Sequence, residues 1–165
     1  MLRSGIARCF GFVLLTAGTA HAAPLQVTWD DLIAPGAPYS EIIGDGEIDF
    51  ENDRWKPEYD ENATQMNPEL DDRDIRIPGY MLPVDVDAEG VHGFILVPYA
   101  GACVHTPPPP PNQVVYVTTQ TPWRSDSMWD VVWVEGRMAI KQQSTDLAEI
   151  GYELTADQIE IFEEY

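Results

Sequence analysis

The sequence predicts a mainly β protein, a small five-stranded barrel with an acidic N-terminal loop region and little helix. Three observations predict it. After Asp74 the chain reads as short apolar segments of strand length, divided by glycine, proline and acidic punctuation. Phe94-Ile95-Leu96-Val97 and Val131-Val132-Trp133-Val134 are apolar on both faces, as strands are when they lie between a barrel interior and a covering segment. Gly79, Gly93 and Gly136 each interrupt such a segment, as glycine does at the bulges and bends that let a short sheet curl shut.

The chain opens on a secretory signal pattern over residues 1–22: basic Arg3 and Arg8, an apolar run from Cys9 to Leu15, and the small-x-small close Ala20-His21-Ala22. Cleavage after Ala22 is expected, because one residue later Pro24 would adjoin the scissile bond. Arg8 directly before Cys9 does not fit a lipoprotein signal. The apolar run falls short of the roughly 20 residues a membrane span needs, so stable membrane insertion is not expected. The expected location is periplasmic.

Residues 23–74 read as an acidic segment packed on the domain. Thr28 with Asp31 three residues on, then Pro35 and Gly36, fits a single helical turn. From Glu41 to Met66 the acids are broken by Gly44, Gly46 and Pro57, which reads as a loop. Its Ile42, Ile43, Ile48, Phe50, Trp55 and Tyr59 are too many for a disordered tail. Asp45 to Asp53 superficially resembles a calcium loop but lacks the central glycine and the closing glutamate. Residues 75–165 then supply the strands. "IRIPGYMLPVDV" and "VHGFILVPY" form a hairpin across "DAEG", followed by "QVVYVTT", "WDVVWVEGRMAI" and "IGYEL". Beyond these, Thr155 and Gln158 have capping-box spacing, so a last helical turn and a continued strand are both open. Five strands in about ninety residues resemble the oligonucleotide/oligosaccharide-binding barrel, a fold that hosts unrelated activities.

The formal charge is −19, and it becomes −21 once the signal leaves with two arginines and no acid. Such a charge repels phosphate backbones, which excludes nucleic acid as the natural partner; a monomer or weak oligomer is expected. Of the two cysteines, Cys9 leaves with the signal, so Cys103 has no partner for an intramolecular disulfide.

"RIPGYMLPVDVD", "FILVPYAGACVHTPPPPPNQVVYV", "VWVEGRM" and "GYEL", in that order, resemble the exported bacterial family catalogued as domain of unknown function 3299. The resemblance covers Leu70 to about Leu154, together with the opening "TWDDL". It implies secretion, a single domain and an all-β core. It also implies an accessory role near an envelope transport component, sometimes in metal-responsive settings. The motif's polar positions carried over are Cys103, His105, Asn112 and Gln113.

Three roles for Cys103 are open. In an extended segment, residues two apart share a side, so Cys103 and His105 can present thiolate and imidazole together to zinc or copper, with His92 or a carboxylate of Asp85, Asp87 or Glu89 as a third ligand. Alternatively, Cys103 fills a buried corner while His105 satisfies a carbonyl. A thiol-dependent enzyme is the third reading, and the weakest. The prolines offer no N–H donors, and the rod separates Asn112 from His105 by about 15 Å. No catalytic residue is therefore assigned. The rod from Pro107 to Pro111 is either a strut on the protein's own aromatics, Tyr99, Trp123, Trp129 or Trp133, or a binding element together with Asn112 and Gln113. The expected function is a soluble periplasmic accessory or binding protein linked to metal handling or envelope transport. The alternatives are a thiol enzyme and a purely structural interaction module.

Overall fold

The computed structural model describes residues 23–51, 54–102, 107–124, 130–145 and 147–163. Its centre is a closed barrel of five strands: β4 (Arg73–Val86), β5 (Val91–Val97), β6 (Val115–Trp123), β7 (Val131–Ser144) and β8 (Glu149–Ile161). They pair in the order β4-β5-β6-β8-β7, and β7 returns to β4 from Arg73↔Met138 to Tyr80↔Val131. Every barrel pairing is antiparallel except β6 with β8, which is parallel. A short first strand, β1 (Leu25–Gln26), runs parallel to the start of β4 at Ile75 and Arg76.

The register explains closure. The residues opposite one another at Ile77↔Val134, Phe94↔Val117, Leu96↔Val115 and Val117↔Leu154 are all buried and belong to one cluster. Side chains alternate between the two faces of a strand, so this set is the barrel interior. Tyr152, Phe94 and Leu96 are its bulky filling and are fully buried. Gly136 does what a closing bend requires. The β7–β8 register shifts at Glu135/Gly136, and a Cβ on Gly136 would lie 2.0 Å from the Thr155 carbonyl. The Gly79 signal has another cause. No shift occurs there; the missing side chain makes room for Trp29, whose ring would meet a Cβ at 2.9 Å.

Phe94 to Val97 are buried on both faces, as expected. Ile95 and Val97 join Ala102, Val114, Ala148 and Ile150 in a second cluster outside the barrel. Val131 to Val134 differ: Val132 and Val134 are buried, but the outer residues Val131 and Trp133 are only half-buried. Among the described residues that face meets single side chains rather than a covering strand. The Arg76 guanidinium lies 4.5 Å from the Trp133 ring centre, and Phe162 stacks at 5.5 Å on the same ring.

The acidic N-terminal segment departs most from expectation. Its single turn forms at Asp30–Leu32, with the Asp31 carboxylate accepting from both the backbone N–H and the hydroxyl of Thr28 at 2.7 Å. The stretch read as a loop instead holds an antiparallel hairpin, β2 (Ile42–Asp49) and β3 (Arg54–Tyr59). Its glycines and proline serve irregularities inside the ribbon. Gly46 has φ +60 and would place a Cβ 2.0 Å from the Lys56 carbonyl, while Pro57 falls where the register shifts and has no paired N–H to supply. Short 3-10 turns at Glu61–Thr64 and Pro68–Leu70 follow, and the segment delivers Val27, Leu32, Met66 and Leu70 to the barrel core. At the other end β8 continues as strand through Thr155 and Gln158, because neighbours on both sides satisfy it: Thr155 lies opposite both Thr118 and Arg137.

Candidate functional site

The proline rod lies against the protein's own tyrosines. Pro108 and Pro109 are buried, Tyr59 donates its hydroxyl to the Pro108 carbonyl at 2.6 Å, and Tyr99 donates to Pro107 at 3.2 Å. Prolines cannot donate to a ladder, but their carbonyls still accept, and the two tyrosines use them. Tyr99 belongs to the expected set of aromatics; Tyr59, on the missed β3, does not.

The rod ends in a 3-10 turn at Pro111–Gln113 that packs tightly on β8, where a Cβ on Gly151 would lie 2.4 Å from the Pro111 carbonyl. Asn112 is 1% exposed. Its amide donates to the Asn62 carbonyl at 3.0 Å and lies 3.5 Å from that of Gln65. Gln113 donates to the carbonyls of Trp29 at 2.8 Å and Asn112 at 3.0 Å. The two motif amides thus tie the N-terminal turns to the barrel. Asn112 Oδ1 is buried with no hydrogen-bond partner among the described residues.

Cys103 and His105 lie outside the described residues, as do Trp129 and the signal segment. Ala102, just before them, is fully buried in the outer cluster. The structure places His92 near the start of β5, beside the turn that joins β4 to β5. Its Nε2 is 3.0 Å from Asp87 Oδ1. Asp87, Glu89 and His92 each bring one potential ligand atom within 4.8 Å of the others. Asp87 anchors the turn as well, accepting from the Glu89 N–H at 2.7 Å and the Gly90 N–H at 3.3 Å. The Glu89 N–H first, and the His92 imidazole next, hold the Asp87 carboxyl below the usual carboxylate range. A shallow depression beside the turn is lined by Met81, Pro83, Val91, Trp123 and Arg124, and Arg124 donates to the Glu89 carbonyl at 2.8 Å. From His92 to Val97, after which the chain leaves the strand toward Ala102, is about 16 Å at strand rise. The sequence named His92, Asp87 and Glu89 only as outside help for Cys103 and His105; their meeting at one turn follows from the tight Asp87-to-Gly90 connection.

These features define a small closed β-barrel whose interior is filled by its own side chains. A family model described as a protein of unknown function, DUF3299, matches residues 29–161, and the chain belongs to that family. The crystal structure of a DUF3299 family protein from Pseudomonas aeruginosa PAO1 is similar, at 30% identity and a TM-score of 0.70, covering 87% of this chain and 99% of that one. No curated protein matches the chain. No helix among the described residues is long and apolar enough to cross a membrane.

Proposed function

We propose that this chain is an exported, periplasmic accessory or binding protein that works through its outer surface and carries out no catalysis. The observation that carries this reading is the filled barrel. Phe94, Leu96 and Tyr152 occupy the space in which larger barrels hold a small molecule, so a ligand or partner meets turns and strand faces. The charge of −21 on the chain without its signal favours cationic or neutral partners for that surface. Fractionation tests the location: osmotic shock releases a mature chain beginning at Ala23, and retention in the membrane pellet would refute it.

A metal-handling role is the second reading, supported by the convergence of Asp87, Glu89 and His92 and by the Cys103–His105 pair in the sequence. Imidazole with carboxylates suits zinc, and a thiolate adds copper(I). The experiment is a zinc and copper(I) titration of the reduced, metal-free mature protein beside Cys103→Ser, His105→Ala and His92→Ala, followed by thiol protection and thermal midpoint. A site at Cys103 and His105 raises the midpoint in the parent but not in those two variants. A site at the β4–β5 turn loses its effect only with His92→Ala. Equal binding by all four proteins assigns the metal to diffuse acidic surface and removes this reading. If none binds and Cys103 alkylates rapidly at neutral pH, the thiol-enzyme alternative gains instead.

A further inference from the structure

Strand β1 is short, yet it sets the place of the residues just before it. Leu25 lies opposite Ile75 and Gln26 opposite Arg76 at the start of β4, and the Val27 N–H donates to the Arg76 carbonyl at 2.9 Å. Upstream, Ala23 is exposed and Pro24 half-buried. The proline ring restricts Ala23 to extended conformations, so the chain enters β1 without coiling back. Ala23 and Pro24 share one surface cavity with Asp74 of β4, Glu135 and Gly136 of β7, and Asp157 and Gln158 of β8.

The charges around this cavity do not balance. Three carboxylates line it and, among the described residues, no lysine or arginine does. Asp74 Oδ1 is 3.0 Å from Arg137 Nε, and Glu135 Oε1 is 3.2 Å from Arg76 Nε. Both arginines are shared: Arg76 also pairs with Glu160 at 2.9 Å, and Arg137 lies 3.5 Å from Asp72. Five carboxylates thus face two guanidiniums. Of the five, Asp157 is the one with no hydrogen bond or ion pair among the described residues. Its position is built into the strand. The β7–β8 register passes from Glu135↔Gln158 to Gly136↔Ala156, which leaves Asp157 as the extra residue of a bulge, and a bulge re-aims its side chain out of the ladder.

We propose that this cavity receives the α-ammonium that signal cleavage creates on Ala23, with Asp157 as its counter-ion, so that maturation and the docking of β1 are coupled. The inference rests on the exported reading given above, with cleavage after Ala22. Hydrolysis of the Ala22–Ala23 amide by a signal peptidase consumes one water and leaves a carboxylate on the departing signal and an ammonium on Ala23. Before that step the Ala23 nitrogen is an uncharged amide and the carboxylates lack their cation. After it, the positive charge stands at the mouth of an anionic cavity, held there by the β1–β4 pairing.

The test uses mature chains whose first residue is set in vitro by a site-specific protease, one with a free Ala23 amine and one with that amine acetylated. In the free chain the Ala23 methyl resonance should titrate above the ordinary α-amino range, about 7.7–8.0, because neighbouring carboxylates favour the charged form. Acetylation should speed amide exchange at Val27 about two- to fivefold, the range that an ion pair at an open site implies. Asp157→Asn should abolish this difference between free and acetylated chains. Glu149→Gln, eight residues back along β8 and about 26 Å away at strand rise, should leave it intact. Both replaced acids are exposed, and an unchanged thermal midpoint confirms that folding is intact. Equal exchange at Val27 in the free and acetylated chains overturns the proposal. So does an equal loss of the difference with Glu149→Gln, which would assign the effect to the overall field of the protein. N-terminal sequencing of the chain released from cells separates the two readings. A first residue other than Ala23 fails the cleavage reading and the proposal with it, whereas equal behaviour of the free and acetylated chains fails the cavity alone.

Discussion

The Tyr152 hydroxyl accepts the backbone N–H of Asn67 at 2.6 Å and donates to the Leu32 carbonyl at 2.6 Å, so one phenol on the last strand holds two separate N-terminal turns against the barrel. Tyr152 is fully buried, and burial pushes its pKa above the ordinary phenol value, so it remains a donor across the working pH range. Tyr152→Phe keeps the ring and removes both of these bonds, while the Asn67 N–H keeps its own 3.1 Å bond to the Leu32 carbonyl. A net hydrogen bond is worth about 0.5–1.5 kcal/mol, so loss of the two is expected to cost about 1–3 kcal/mol in denaturant unfolding, with faster hydrogen exchange at Asn67.

The proline strut gives a second prediction. Pro108, Pro109 and Pro110 are pre-set for an extended rod, and replacing all three by alanine adds freedom to the unfolded chain at about 0.4–1 kcal/mol per residue. The triple variant should therefore unfold about 1–3 kcal/mol more easily. Tyr59→Phe, which removes the donor to the Pro108 carbonyl, should cost about 0.5–1.5 kcal/mol by itself. Unchanged unfolding midpoints in both would remove the structural role and return the rod to partner recognition.

Gly136→Ala tests barrel closure. The added methyl would meet the Thr155 carbonyl at 2.0 Å, and backbone cannot swing aside as a flexible side chain does. Overpacking of this kind costs typically 1–3 kcal/mol or more. The signature should be local: amide exchange accelerates in β7 and β8 around Thr155 before it does in the β4–β5 hairpin.

Acid should loosen two turns together. Hydrogen bonds from the Thr28 backbone first and its hydroxyl second hold the Asp31 carboxyl below the usual range, and Asp87 is lowered by the Glu89 N–H and His92. A depressed carboxyl stabilises the folded state fully above its unfolded pKa, near ~3.9, and the contribution disappears as pH falls through the lower folded value. The amide resonances of Thr28 and Glu89 should be steady at neutral pH and move only below about pH 4. In Asp31→Asn and Asp87→Asn that movement should vanish.

The β4–β5 hairpin was legible because its signals agree: apolar runs on both sides of an acidic, glycine-closed turn. The two-sided burial of Phe94 to Val97 followed from their unbroken apolar run. The β2–β3 hairpin was not legible, and the continuation of β8 beyond "IGYEL" was left open between helix and strand. In β2, Gly44 and Gly46 carry the ordinary mark of a loop, and only the facing backbone of Lys56 shows that Gly46 serves a bulge. In β8, Thr155 and Gln158 have the spacing of a helix cap; the pairing that overrides it comes from β6 and β7, which are distant in sequence. Asn112 and Gln113 read as polar binding positions, and a polar pair after a proline run carries no sign of the burial that the structure gives them. Their partners, the carbonyls of Asn62 and Trp29, are supplied by turns some 50 and 84 residues away.

The position of β8 between β6 and β7 also orders the assembly of the chain in time. As the polypeptide emerges N-terminus first, β4, β5 and β6 can zip together by neighbouring pairings, and β7 can return to β4, yet β6 and β7 keep unpaired edges until the last thirteen-residue strand arrives. Closure therefore waits for nearly the whole chain, and the parallel β6–β8 pairing is a long-range event of the slow kind. For a chain exported as proposed above such an arrangement is an advantage, since the barrel cannot lock before β8 is available. The same delay exposes two raw sheet edges during maturation, so a chain interrupted before Glu149 should be prone to clumping and to proteolytic clearance rather than persist as a partial barrel.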